Sequence, residues 1–310
     1  MRAAPDAAPD RGVEPRGAAP AASRRVRPLY WSVRRELWEN RSLYLAPLGV
    51  AAFMVAGLVI HGVTMPGHLP GMLGSDPAMP RSARVTYAFV SMLMLATSFA
   101  VGAFYSLEAL GGERRDRSIL FWKSLPVSDA ATVLAKAVVP LAVLPLLTLA
   151  VLVAMQAVML LLSAAALAAQ GQAVAPLWRE VQPPRMWPAL AYATAAMALW
   201  HAPVHAFLLL VSGWARRTAA LWAVLPLLAL GALEKLTLDT ARVAAWVAYR
   251  LLGWYPEGFA APARGGFPFD PLAAATPTRF LASPGLWMGL AFAAACLAAA
   301  VRLRRSREPV

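Results

Sequence analysis

The chain has 310 residues, 59% of them hydrophobic and only 15% charged. A soluble domain carries about a quarter charged residues, so this composition points away from water and toward a membrane. A formal net charge of +13 would suggest nucleic acid in a soluble chain. Here the basic residues fall between apolar runs, where lipid topology accounts for them without a nucleic-acid partner.

Residues 1–27 are rich in Ala, Pro and Arg with no hydrophobic periodicity, and read as a disordered tail. Residues 28–42 alternate aromatics with charges. Leu29, Val33, Leu37 and Trp38 fall at helical spacing, with Arg34, Arg35, Glu36 and Glu39 mostly elsewhere on the helix. Such a helix suits the membrane interface, with Trp31 and Trp38 at headgroup depth and lipid as the partner.

Six apolar segments follow, at about 43–64, 87–107, 135–162, 189–212, 218–234 and 284–302. Each is near the roughly 20 residues that about 30 Å of hydrocarbon requires. The third is long, and Pro140 and Pro145 are expected to bend it near its start. The fifth is short, contains Pro226 and runs into Glu234 and Lys235, which snorkelling would carry to the interface, as it would Glu108. Between the fourth and fifth, Gly213 to Arg217 form a tight turn with arginine anchors. Residues 235–283 hold an aromatic patch from Ala244 to Tyr255, expected to form one or two helices dipping into the outer leaflet or capping the bundle. With the N-terminus inside, twenty of the twenty-nine Lys and Arg residues are cytoplasmic and nine are not. Both termini are therefore expected in the cytoplasm. The sum is an all-α integral membrane protein of six transmembrane helices, with an amphipathic interfacial helix before them.

Few motifs compete for the chemistry. No GxxxxGK[ST], HExxH, GxSxG or GxGxxG is present, so ATP phosphates are not cradled by the usual loop. The single cysteine, Cys296, sits inside the last apolar run and reads as a small buried hydrophobe. One cysteine also excludes an intrachain disulfide or a thiolate metal site. His201 and His205 stand four apart and share a helix face, but Pro203 lies between them and no carboxylate joins them. Two ligands are too few for a metal, so they read mainly as polar residues facing the bundle interior, with a role on a substrate path as the functional alternative.

The specific signal lies between the second and third apolar runs. Glu113, Arg114, Arg115, Asp116, Arg117 and Lys123 are interleaved with Ile119, Leu120, Phe121 and Trp122 before a break at Pro126. The charges cannot sit in hydrocarbon, so the segment lies at a membrane face. Ile119, Leu120 and Trp122 fall on one side of a short helix that Pro126 stops. Ser128 is then a fitting N-cap for the third span, with Asp129 favourable in its first turn. A short helix rigidly joined to a transmembrane helix makes a lever.

These residues resemble the permease subunits of ABC-2 type transporters. The likeness runs through Glu113-Arg114-Arg115-Asp116-Arg117-Ser118-Ile119-Leu120 and Lys123-Ser124-Leu125-Pro126-Val127-Ser128. The family's Gly-Thr or Gly-Ser step is Arg117-Ser118 here. The architecture is similar over roughly 28–305, which makes 28–310 one permease transmembrane domain after the tail. The resemblance implies an exporter subunit in a bacterial inner membrane, with no catalysis, cofactor or metal of its own. ATP and Mg would be bound by a separate ATPase subunit. A second permease copy, identical or related, would complete the path. Residues 113–126 would be the coupling helix. Glu113, Arg114 and Asp116 would make polar contacts with the ATPase, Ile119, Leu120 and Trp122 would pack, and Leu125 and Pro126 would close the elbow. The entry helix with Trp31, Arg34, Arg35, Leu37 and Trp38 would lie beside it. Two other classes compete: a membrane-embedded metal-dependent enzyme using His201 and His205, and a membrane anchor or sensor without transport.

Overall fold

The computed structural model describes residues 28–64, 82–112, 128–215, 218–260, 269–270 and 272–306. The expected tail at 1–27, the segment 113–127 with all eight coupling residues named above, and Arg216 and Arg217 lie outside the described residues. Helix α1 is Pro28–Glu39, α2 is Ser42–Thr64 and α3 is Ser82–Glu108. The third long helix is built from α4 (Asp129–Val138), a π-helical stretch Val139–Val143, and α5 (Leu144–Ala169). A short α6 (Ala175–Val181) leads into α7 (Pro183–Trp214), followed by α8 (Ala219–Leu238). Three short helices, α9 (Arg242–Leu252), α10 (Trp254–Gly258) and α11 (Pro277–Ala282), precede α12 (Pro284–Ser306). Apart from one isolated antiparallel bridge between Phe259 and Ala275, the described residues are helix, turn or irregular.

Among the described residues, six helical stretches are long and apolar enough to cross a membrane, the architecture of a multi-pass membrane protein. They coincide with the six apolar runs, extended at most ends because capping and terminal turns carry polar residues that hydropathy leaves out. The disturbance expected from Pro140 and Pro145 takes the form of the π-helical turn. Pro140 has no N–H to donate, and a wider turn re-registers the backbone bonds around the gap.

The bundle is organised on α7. Its buried face runs from Pro183 to Ser212 and packs against α3, α5, α10 and α12. The largest core cluster joins Tyr87, Met94 and Leu95 of α3 to Leu152, Met155 and Met159 of α5 and Leu190, Ala193 and Met197 of α7. Small residues bring α7 and α12 together: Ala202 and Ala206 meet Ala293 and Cys296. In hydrocarbon, close backbone approach replaces the hydrophobic drive that water would supply. Cys296 is thus free and buried, in the part of a small apolar residue. By contrast, α2 buries only Leu43, Pro47 and Ala51, and α8 only Ala223 and Glu234.

The helix ends fall into two groups. One holds α1, the C-terminus of α3, the N-terminus of α4, and the C-termini of α7 and α12. Gly112 and Ser128, the described residues on either side of 113–127, both lie at this elbow end. The far end carries α6 and α9 to α11. There Arg84 of α3 pairs through both guanidinium nitrogens with Asp270. The patch Ala244 to Tyr255 forms α9 and the start of α10. Glu234 does more than snorkel. Its carboxylate accepts from the backbone N–H groups of Arg242 and Val243, at 2.7 and 2.8 Å, and from the Thr240 hydroxyl. It therefore caps α9 from the helix before it.

Candidate functional site

The two strands of chain that enter and leave residues 113–127 are both tied down. On the entry side, the backbone N–H groups of Leu110 and Gly111 donate to the Ser212 hydroxyl at 3.2 and 2.9 Å. Ser212 is fully buried at the C-terminal end of α7. A helix C-terminus thereby supplies an acceptor to a chain that has just left a different helix.

On the exit side, Ser128 caps α4 as expected, accepting from the Ala131 N–H at 3.2 Å. Asp129 stands in the first turn, where the helix dipole favours an anion. Its carboxylate meets Arg304 of α12 at 3.0 Å, so the end of the last long helix is fastened to the start of the third.

Two turns deeper lies the most consequential contact. Lys136 of α4 pairs with Glu36 of α1 at 2.8 Å, with only 4% and 5% of the two side chains exposed. The second Glu36 oxygen accepts from the Tyr105 hydroxyl of α3, also at 2.8 Å. Asn40 donates to the Glu36 carbonyl at 3.0 Å. Glu36, grouped in the sequence with the charges mostly off the apolar side of α1, faces inward. The reason is Lys136, an ammonium inside an apolar helix that needs a counter-ion it can reach. Removing one partner from such a pair costs about 3–5 kcal/mol, because the other charge stays buried.

The remaining candidates of α1 divide between two faces. Val33 and Leu37 pack against Leu43, Tyr105, Val139 and Leu144. Trp31 and Trp38 are exposed, with the Arg34 guanidinium 5.3 and 4.9 Å from their ring centres. Arg35 pairs with Glu39 on the exposed side at 2.6 Å.

The histidine pair sits away from the elbow, inside the bundle. His201 places Nδ1 2.9 Å from the Met197 carbonyl and Nε2 2.9 Å from the Leu251 carbonyl. A neutral ring can donate to one of these and an imidazolium to both, and either way both nitrogens are turned to backbone. His205 lies against Gly102 of α3, where a Cβ would come within 2.9 Å of its ring and 3.4 Å of Pro140. Its Nδ1 is 3.5 Å from the Ser106 hydroxyl. The ring of Phe99 stacks near both histidines, at 4.5 and 5.7 Å. Among the described residues no three His, Cys, Asp or Glu side chains converge as metal ligands would. The pair lies at a three-helix crossing, at the point where the π-helical turn meets α3 and α7.

Compared with protein-family models, with curated proteins and with solved structures, the chain matches none of them.

Glu36, Tyr105, Lys136, Ser212 and Arg304 were not singled out in the sequence as a site. One signal was available: Lys136 lies inside the run 135–162, and an ionisable residue within an apolar span implies a partner. Which partner it takes, a hundred residues away, has no local signature. At the far end a cavity of about 300 Å³ opens between Arg84, Arg185 and Leu272. Its guanidinium groups are already occupied, Arg84 by Asp270 and Arg185 by Gln182.

Proposed function

We propose that the chain is the transmembrane permease subunit of an ABC-2 type ATP-binding-cassette transporter, an exporter in a bacterial inner membrane with both termini cytoplasmic. Residues 113–126 act as the coupling helix and dock on a separate ATPase subunit that binds ATP and Mg. A second permease copy completes the translocation path. Helix α1 lies in the cytoplasmic interface, its exposed tryptophans at headgroup depth.

The observation that carries this reading is the buried tie of Glu36, Lys136 and Tyr105. A segment that transmits force needs roots that do not slip. The tie joins α1, α3 and α4 at one point, and Asp129–Arg304 and the Ser212 hydroxyl extend it to α12 and α7. A push on residues 113–126 then moves four long helices together, where an untied loop would absorb it. A buried ion pair gives little net stability over a well-packed apolar pair, so its worth here lies in fixing the geometry of the joint.

The test is a charge exchange in the full chain, co-expressed with its ATPase. Glu36→Lys alone should uncouple hydrolysis from transport, and Glu36→Lys with Lys136→Glu should restore coupling in large part. Glu113→Lys and Leu120→Asp should abolish coupled transport while the chain still inserts and purifies. Normal transport by the last two variants would end the coupling assignment. Failure of any ATPase to co-purify with the unmodified chain would end the transporter reading itself.

A further inference from the structure

A helix leaves its last carbonyls without intrahelical donors. At the end of α9 two of them are met by neighbouring side chains of α7. Trp200 Nε1 donates to the Arg250 carbonyl at 3.1 Å, and His201 Nε2 lies 2.9 Å from the Leu251 carbonyl. The Arg250 side chain completes the attachment. Its guanidinium carbon stands 4.9 Å from the Trp200 ring centre, a cation–π contact. Nη1 donates to the Gly285 carbonyl of α12 at 3.2 Å. Nη2 lies against Gly289, where an added Cβ would fall inside the guanidinium. A Cβ at Gly285 would meet the Trp200 ring at 3.1 Å. Gly285 and Gly289 stand four apart on one face of α12 and together make a notch.

The start of α9 is held by the Glu234 cap, and Tyr249 meets the Trp200 ring edge-on at 5.3 Å. None of the residues of α9 is buried, and Trp246 and Leu252 stand exposed. Its last turns therefore dock through few contacts, the profile of an element that opens locally from a capped start. The docked state also carries a defect: Arg250 Nη2 is buried and has no hydrogen-bond partner among the described residues. Lifting α9 frees that nitrogen and forfeits the cation–π contact, the Trp200 bond to the Arg250 carbonyl, and the contacts of His201 with Leu251 and of Trp200 with Tyr249.

We propose that α9 is a detachable seal across the far ends of α7 and α12, with Arg250 as its bolt, the Gly285–Gly289 notch as its socket, and Trp200 and His201 as the latch on its last carbonyls. Docked, it closes solvent off from His201. Lifted, it opens the interior of the bundle at the far end through this one chain. The device stands whether or not the chain moves a cargo.

Ethoxycarbonylation of histidine by diethyl pyrocarbonate, read by mass spectrometry on the full chain in lipid nanodiscs, tests it. Gly289→Ala drives the bolt out by overpacking, and Arg250→Ala removes it without adding volume. Each should raise the modification rate of His201 roughly tenfold while His205, deeper beside Gly102, stays protected. Because both variants act on one contact, the double variant should react no faster than Arg250→Ala alone. Unchanged His201 reactivity in the single variants overturns the proposal, as does a Gly289→Ala effect that persists at full size without Arg250. Equal gains at His201 and His205 also overturn it, since that is general loosening of the bundle. Should Gly289→Ala not purify as a monodisperse chain, Arg250→Ala alone decides, and an unchanged rate counts against the seal.

Discussion

Helices α7 and α8 are close in composition and opposite in placement. Both are apolar and both carry internal proline, Pro188 and Pro203 in one and Pro226 in the other. Yet α7 has a buried face along its whole length, while α8 exposes Leu221, Val224, Leu230, Leu233 and Leu238 around its circumference. The difference lies in the minority residues. α7 interleaves small residues with a polar file, Thr194, His201, His205 and Ser212, spaced seven, four and seven apart on one face. Small side chains admit neighbouring backbones and polar ones find partners there. α8 has no such stripe, and a helix apolar all round suits lipid. In a bilayer, mean hydropathy identifies a crossing; the small and polar stripe identifies the side that meets protein.

The contrast can be broken by mutation. Trp200→Ala in α7 should cost about 3–5 kcal/mol, because Trp200 is fully buried between α9, α11 and α12. Unfolding of the purified chain in mixed micelles measures it, and a loss under about 1 kcal/mol would remove the distinction between the two helices. Ser212→Ala should cost about 1–3 kcal/mol by stranding the N–H groups of Leu110 and Gly111. It should also speed proteolysis within 113–127, since one root of that segment is freed. Leu228→Ala in α8 should change stability by no more than about 0.5 kcal/mol. A loss there as large as that of Ser212→Ala would sharpen the picture differently, showing that a second protein surface, not lipid, covers α8.

The elements themselves were largely readable. The six long apolar runs, the Ser128 cap and the helical patch from Ala244 each rest on residues within one or two turns of one another, so local chemistry suffices. Other readings stopped short for reasons of distance. Glu36 has the neighbours of a surface residue, and only Lys136, a hundred positions on, turns it inward. Glu234 reads as a span terminator, and only the return of the chain at Arg242 makes it a helix cap. His201 reads as a polar residue facing the bundle interior, and only the return of α9 supplies the Leu251 carbonyl that its second nitrogen meets.

By itself, then, the order of residues determined the long apolar stretches able to cross a bilayer and the approximate place of each along the chain. Hydrogen bonding along the backbone and the length of hydrocarbon are local constraints, and they leave little choice. Tertiary structure alone decided which helix is core and which is rim, and which charges meet at the roots of the elbow. Lipid and protein interior are almost equally apolar, so transfer energy does not separate them; only contacts between distant parts of the chain do.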